Sequence, residues 1–313
     1  MKILILGAGG IGGYFGARLI QAGADVTFLL RERRKQQVDS EGLKIETPRG
    51  PFSVQPRTVT AQAVGPDYDL ILLTPKAYDL DSALASLARA DGRGVLLPFL
   101  NGIDHLQALD ARYGRARVMG GVAHIAAALT PEGVVKQLND LHRLTVGPRD
   151  PAHESLARDF AALGTGAGYD SVHSEDIEQV LWDKWVFLAT LAGMTTVCQG
   201  SVGEIVATSE GEALTRTMYA EACAVAQAED HAVGAAAQNQ ALGMLTQPGS
   251  AFTASMLRDL QGGLPTEHEH ILGALARRGR QLGVGVDLLR LAYSHMAVRA
   301  AQSQSQSQSQ SRS

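Results

Sequence analysis

Met1-Lys2-Ile3-Leu4-Ile5-Leu6-Gly7-Ala8-Gly9-Gly10-Ile11-Gly12-Gly13-Tyr14-Phe15 is the stretch from which the rest of the chain is read. Four consecutive apolar residues, Ile3 to Leu6, run straight into glycines, which is the pattern of a buried strand ending in a turn. The apolar run is too short for the core of a signal peptide, so a strand is expected here. Gly7, Gly9 and Gly12 fit the G-x-G-x-x-G spacing, and residues 11–22 continue as an amphipathic helix. Each glycine has a physical reason in this frame. Gly7 permits the tight turn, Gly9 lets the backbone come close to a diphosphate, and Gly12 allows the helix to pack on the strand. The helix start offers unpaired N–H groups and the positive end of a dipole to an anion. Gly7, Ala8, Gly9, Gly10, Ile11 and Gly12 are therefore expected to form a dinucleotide-binding loop. The plainer alternative is a glycine turn in a sheet that binds nothing.

Working outward, further β-rich runs occur at 25–30, 69–73, 94–99 and 117–123, with a helical pattern at 78–89. Strands alternating with helices imply a Rossmann-type α/β domain with a mostly parallel sheet. Runs at 134–138 and 142–146 flank Asn139-Asp140 and read as an edge hairpin, followed by a helix at 153–163. Beyond about residue 174 the periodicity is helical alone, at 176–199, 209–231, 235–246 and 266–282. The expected organisation is a nucleotide-binding domain over 1–172, an all-helical domain over 173–301, and a disordered Gln/Ser tail over 302–313.

The second β-run ends in Phe28-Leu29-Leu30 and is followed by Arg31-Glu32-Arg33-Arg34, for which the plainer alternative to a binding role is a solvated charge cluster on a loop. A carboxylate at this point would accept from a ribose 2′-hydroxyl, whereas Arg31 suits a 2′-phosphate and so favours NADP over NAD. Lys76 and Asn101 each follow a later strand, in Thr74-Pro75-Lys76 and Leu100-Asn101-Gly102. Ligands of open α/β sheets bind outside the carboxyl ends of the strands, where both residues are expected.

Composition narrows the class. A net charge of −4 offers no basic field for nucleic acid, and no apolar run approaches membrane-spanning length. Two cysteines, Cys198 and Cys223, lack metal-ligand spacing and suit a reduced cytoplasmic protein. His268 and His270 flank Glu269, but i, i+2 positions diverge around a helix, so no metal is expected. His124 reads as a structural or solvated histidine. The apolar helical half is compatible with a homodimer without establishing one.

The helical half carries Trp182-x-Lys184, Ser255-Met256-x-x-Asp259 and Thr266-Glu267. Together with Gly7-x-Gly9-x-x-Gly12, Arg31, Lys76 and Asn101-Gly102, in that order, they make the chain resemble the ketopantoate reductase family (2-dehydropantoate 2-reductase). That family belongs to the wider group related to 6-phosphogluconate dehydrogenase. The resemblance covers nearly all of the chain except the Gln/Ser stretch. It implies NADPH-dependent reduction of a 2-oxo acid to the 2-hydroxy acid, with ketopantoate to pantoate in pantothenate biosynthesis as the family reaction. It also implies roles for individual residues. Lys184 would be the general acid and Glu267 would lie near the reacting centre. Ser255 would hold substrate, and Asn101 would serve both cofactor and substrate. Arg31, Lys76 and the backbone near Ala126 would serve the cofactor. One departure stands out. Leu188, Ala192 and Val202 occupy positions where the family ordinarily carries asparagines for a hydroxyl-bearing substrate. A paralogue acting on a more apolar oxo or hydroxy acid is thus a competing reading. A nucleotide sensor without turnover is another, against which the retained Lys184, Ser255 and Glu267 count.

Overall fold

The computed structural model describes the backbone of residues 1–90 and 92–310 and the side chains as far as Gln302. The chain divides into two compact units. One contains Met1–Leu100 and His105–Leu181; the other contains Asn101–Asp104 and the chain from Trp182.

The first unit is built on β1 (Lys2–Leu6), α1 (Gly10–Gln21), β2 (Asp25–Leu29) and α2 (Glu32–Glu41). Next come β3 (Leu43–Glu46), β4 (Phe52–Val54), β5 (Arg57–Val59), β6 (Leu70–Leu73), α3 (Leu80–Ser86) and β7 (Val95–Pro98). It closes with α4 (Asp104–Tyr113, whose first residue lies in the other unit), β8 (Gly120–Leu129), β9 (Val135–Gly147), α5 (Glu154–Gly166) and β10 (Asp170–His173). Five parallel strands form the main sheet in the order β5-β2-β1-β6-β7. Chain order reverses at β1, with β2 on one side and β6 on the other. This is the switch point at which such sheets bind ligands. β1, β6 and β7 are buried along most of their length, which is why they read as unbroken apolar runs. Tyr14, Phe15 and Leu19 of α1 close over Ile3, Ile5 and Phe28 in the core.

The second sheet corrects the expected hairpin. Residues 134–138 and 142–146 are not two strands around a turn at Asn139-Asp140. All but Val134 belong to one strand of 13 residues, β9 (Val135–Gly147), paired antiparallel with a β8 that runs to Leu129. The actual turn is Thr130–Val134, closed by Thr130 N–H donating to the Val134 carbonyl and turned by Gly133 at φ +85°. The ladder shifts register between Ile125 and Ala127, so the irregular middle of β9 imitates a turn in sequence. β9 also pairs in parallel with β10 and, at its start, with β3. The arginine-rich segment after β2 is likewise not a loop: Arg31 is the N-cap of α2, and Glu32, Arg33 and Arg34 form its first turn.

The second unit is helical: α6 (Ile177–Cys198, from Trp182 onward), α7 (Val202–Val206), α8 (Gly211–Ala228), α9 (Ala235–Leu245), α10 (Ser255–Gln261), α11 (Ala274–Gln281) and α12 (Asp287–Gln310). The first turn of α6 stays with the sheets because Arg149 and Arg115 both pair with Glu178, and Ile177 fills the space beside Gly120 and Gly147. α6 has no polar stripe to spare. Trp182, Trp185, Val186, Ala189 and Ala192 are all buried, as in a helix surrounded by others. The expected helix at 266–282 is interrupted. Residues Glu269–Gly273 form a π-helical turn before α11 begins. α12 runs to Gln310, into the stretch whose repeat predicts a disordered tail. A helix already nucleated extends at little cost into residues of fair propensity. The side chains from residue 303 and the backbone of 311–313 lie outside the described residues. Among the described residues no helix is long and apolar enough to cross a membrane.

Candidate active site

The glycine loop has the shape its spacing demands. Gly7 sits at φ +97°, which an L side chain adopts only under strain. A Cβ on Gly12 would lie 2.4 Å from the Gly7 carbonyl and from Thr74 Oγ1, so only hydrogen fits. A Cβ on Gly9 would meet nothing within 4 Å, which leaves open space over the loop. Gly9 caps α1 with no side chain on the helix N–H groups, and no acidic residue stands in the first turn to repel an anion. These features fit a nicotinamide dinucleotide bound through its diphosphate.

Around the loop, Gly10 packs on the Ala127 carbonyl, and Ala126 sits in the register break of β8. Lys76 caps the short 3-10 turn Ala77–Asp79 after β6. Arg31 stands at the end of β2 with 78% of its side chain exposed, 3.8 Å from Asp79. Thr74 escaped the reading of the sequence. Its hydroxyl donates to the Leu6 carbonyl at 2.9 Å and ties β6 to the loop. Its place directly after a buried strand and before Pro75-Lys76 was the available signal.

In the helical unit a separate polar cluster forms. Lys184 Nζ donates to Asn101 Oδ1 at 3.1 Å, and Asn101 Nδ2 donates to Glu267 Oε2 at 3.1 Å. One amide thus receives from the cation and gives to the carboxylate, which is possible only with a side chain that is both acceptor and donor. Glu267 is buried. Desolvation of the Lys184 ammonium lowers its pKa to about 8, while the Glu267 carboxylate acts to raise it.

The backbone explains how these three meet. Gly102 has φ +78°, and a Cβ there would lie 2.8 Å from the His270 carbonyl, so the Asn101-Gly102 segment lies flat on the turn that follows Glu267. Trp185, one residue after the lysine, donates its indole N–H to the Ile271 carbonyl at 3.0 Å. That acceptor lies in the π-helical turn, a form frequent at functional sites. Thr266 Oγ1 bonds His268 Nδ1 at 2.9 Å, His268 stacks on Tyr293, and Tyr293 donates to Glu269. Arg278 anchors Asp104 at 2.7 Å, which holds the segment after Asn101. Neither Trp185 nor the π-turn was named from sequence; the second indole of Trp182-x-x-Trp185 was the visible hint.

Ser255 is not part of this cluster. It opens α10 and makes no hydrogen bond to Lys184, Asn101 or Glu267. The family's three asparagine positions are apolar in fact as well as in sequence. Ala192 and Val202 are buried, and Leu188 packs against the helical core. The hydroxyls of Thr190, Thr195 and Thr196 donate back to carbonyls of α6. Gly203 is explained by packing, since its N–H meets the Ser250 carbonyl at 2.8 Å and a Cβ would lie 2.4 Å from Ser250 N. Glu204 forms a capping box with Ser201.

Comparison with known proteins agrees with this anatomy. The model described as "Ketopantoate reductase PanE/ApbA" matches residues 3–151, and "Ketopantoate reductase PanE/ApbA C terminal" matches residues 176–300. An uncharacterized oxidoreductase of Bacillus subtilis, YkpB, is 32% identical over 303 residues, covering 96% of this chain and 100% of the relative. A PanE/ApbA family ketopantoate reductase from Ralstonia eutropha superposes with a TM-score of 0.87 at 25% identity, over 97% of this chain and 100% of that one. D-mandelate dehydrogenase, solved with NADH and anilino(oxo)acetate, shares the fold at a TM-score of 0.88 and 23% identity, over 97% and 100% of the two chains. The α/β unit followed by a helical unit is the architecture of this group. The chain belongs to the ketopantoate reductase PanE/ApbA family and is an oxidoreductase of that family.

Proposed function

We propose that the chain reduces a small 2-oxo acid to the 2-hydroxy acid with NADPH, using Lys184 as the proton donor. The observation that carries this reading is the desolvated lysine held through Asn101 to a buried glutamate. An acid with a pKa of about 8 is protonated at neutral pH yet gives up its proton readily, which is the balance general acid catalysis requires. A nicotinamide nucleotide held by the glycine loop would supply the hydride, two electrons and a hydrogen nucleus, for the carbonyl carbon. Lys184 stabilises the negative charge that develops on the carbonyl oxygen and transfers its proton there; the neutral amine then takes a proton from solvent. Asn101 fixes the direction of the ammonium, and Glu267 keeps it charged against the cost of burial. Gly7, Ala8, Gly9, Gly10, Ile11 and Gly12 would hold the diphosphate, with Arg31, Lys76 and the Ala126 backbone on the rest of the nucleotide. Arg31 is the basis for NADPH over NADH. Ser255 and Asn101 are assigned to the substrate on the family pattern.

A second reading, a substrate more apolar than ketopantoate, is favoured by Leu188, Ala192 and Val202 together with the threonine hydroxyls bonded to α6. NADPH oxidation followed against a panel of 2-oxo acids tests both. Turnover of ketopantoate above all others supports the family substrate, turnover of branched or aromatic 2-oxo acids supports the second reading, and turnover of none refutes both.

A further inference from the structure

Two arginines of α2 are placed in contrasting ways. Arg31 is largely exposed and faces Asp79. Arg34, one turn later, turns inward: Nη2 donates to the Ala8 carbonyl at 3.3 Å and Nη1 to Gln37 Oε1 at 2.7 Å, while Nε is buried without a hydrogen-bond partner. No carboxylate lies within ion-pair distance of it among the described residues. The guanidinium is half-buried, and only the longer-range attraction of Glu41 offsets the cost of taking it from water, so its placement calls for a reason. The surroundings are shaped to receive it. Gln37 is itself held by donating to the Glu132 carbonyl at 2.7 Å, and a Cβ on Gly133 would fall 2.4 Å from Arg34 Nη1.

The contact lands on the glycine loop. The Ala8 carbonyl and the Gly9 N–H share one planar peptide unit and point in opposite directions. Fixing the carbonyl toward α2 therefore fixes the N–H away from it. Among the described residues no protein group accepts from that N–H, and the space over Gly9 is open.

We infer that Arg34 is a positioning residue for dinucleotide binding: by holding the Ala8 carbonyl, it aims the Gly9 N–H at the cofactor diphosphate. The inference rests on the proposal that this loop binds the diphosphate. It differs from a 2′-phosphate role, because the diphosphate is common to NADPH and NADH.

Calorimetric titration of the full chain with NADPH, NADH and 2′-AMP separates the cases. Arg34→Gln should weaken NADPH and NADH by the same factor, roughly tenfold, and leave 2′-AMP unchanged. Arg34→Lys, which keeps one donor for the Ala8 carbonyl, should restore both dinucleotides to within a fewfold of the parent. Loss of NADPH affinity alone would make Arg34 a 2′-phosphate ligand and overturn the inference. So would unchanged affinity for both dinucleotides, or failure of Arg34→Lys to restore them. Should Arg34→Gln not fold, as judged by its thermal melt, Arg34→Met retains the packing of the stem and takes its place. If the parent chain binds neither dinucleotide, it is the loop assignment that fails.

Discussion

Replacing Glu267 by Gln would remove a charge from the lysine cluster while keeping an acceptor for Asn101 Nδ2. Two hydrogen bonds of 3.1 Å across one amide place the carboxylate no more than about 9 Å from Lys184 Nζ. At about 5–9 Å and an effective dielectric of about 20, the attraction is about 2–3 kcal/mol, or about 1.5–2 pK units. In the parent protein the lysine has a pKa of about 8, so reduction should be flat at neutral pH and fall as pH rises through 8. In Glu267→Gln the same limb should move down to about pH 6–6.5, since the group that favours the protonated amine is gone. The plateau on the acid side should survive, because the proton donor itself remains. The assay is kcat for 2-oxo acid reduction from pH 5 to 10. A deuterium isotope effect from 4-deuterated NADPH identifies the range in which chemistry limits. A limb that stays near 8, or moves up, would refute the electrostatic role given to Glu267.

Lys184→Ala should lower kcat by about 10²–10⁴ with NADPH affinity retained; unaltered turnover with chemistry rate-limiting makes the lysine structural. Arg31→Ala should weaken NADPH by roughly ten- to a hundredfold and leave NADH nearly unchanged in equilibrium titrations, and equal affinity of the parent for both nucleotides would remove the basis for preferring NADPH. For the substrate, kcat/KM for ketopantoate and for its deoxy analogue 2-oxoisovalerate should lie within about a hundredfold, because apolar positions impose no penalty for a missing hydroxyl. A preference for ketopantoate of about a thousandfold or more would show that the hydroxyl is bound elsewhere in the chain.

The parallel sheet was legible because buried strands print as apolar runs and the glycine spacing marks a turn with a single use. The second sheet was not. β3 and β4 are four and three residues long, below the length at which alternation stands out from chance, and the three-residue β5 at the edge of the parallel sheet went unread for the same reason. β9 misleads for a related reason, since Asn139-Asp140 is turn-forming chemistry inside an irregular ladder. Lys184, Asn101 and Glu267 were named from an ordered set of short motifs; their mutual contact was beyond any local signal, with 83 and 166 residues separating the bonded pairs. Arg34 stayed hidden because Arg31, Arg33 and Arg34 are alike as letters, and only the helical turn of α2 decides which of them faces the loop.

The three neighbours of β9 also set an order of events during synthesis. β1, β2, β5, β6 and β7 are all available once about 100 residues have left the ribosome, and the main sheet can close among them. The β3–β4 pair, by contrast, emerges early and must wait about ninety residues for Val135 and Lys136 to cover the edge of β3. At ordinary elongation rates that is about 5–20 s with an unpaired edge in solution. The shortness of β3 and β4 limits what that edge can recruit, so brevity protects the nascent chain while it waits.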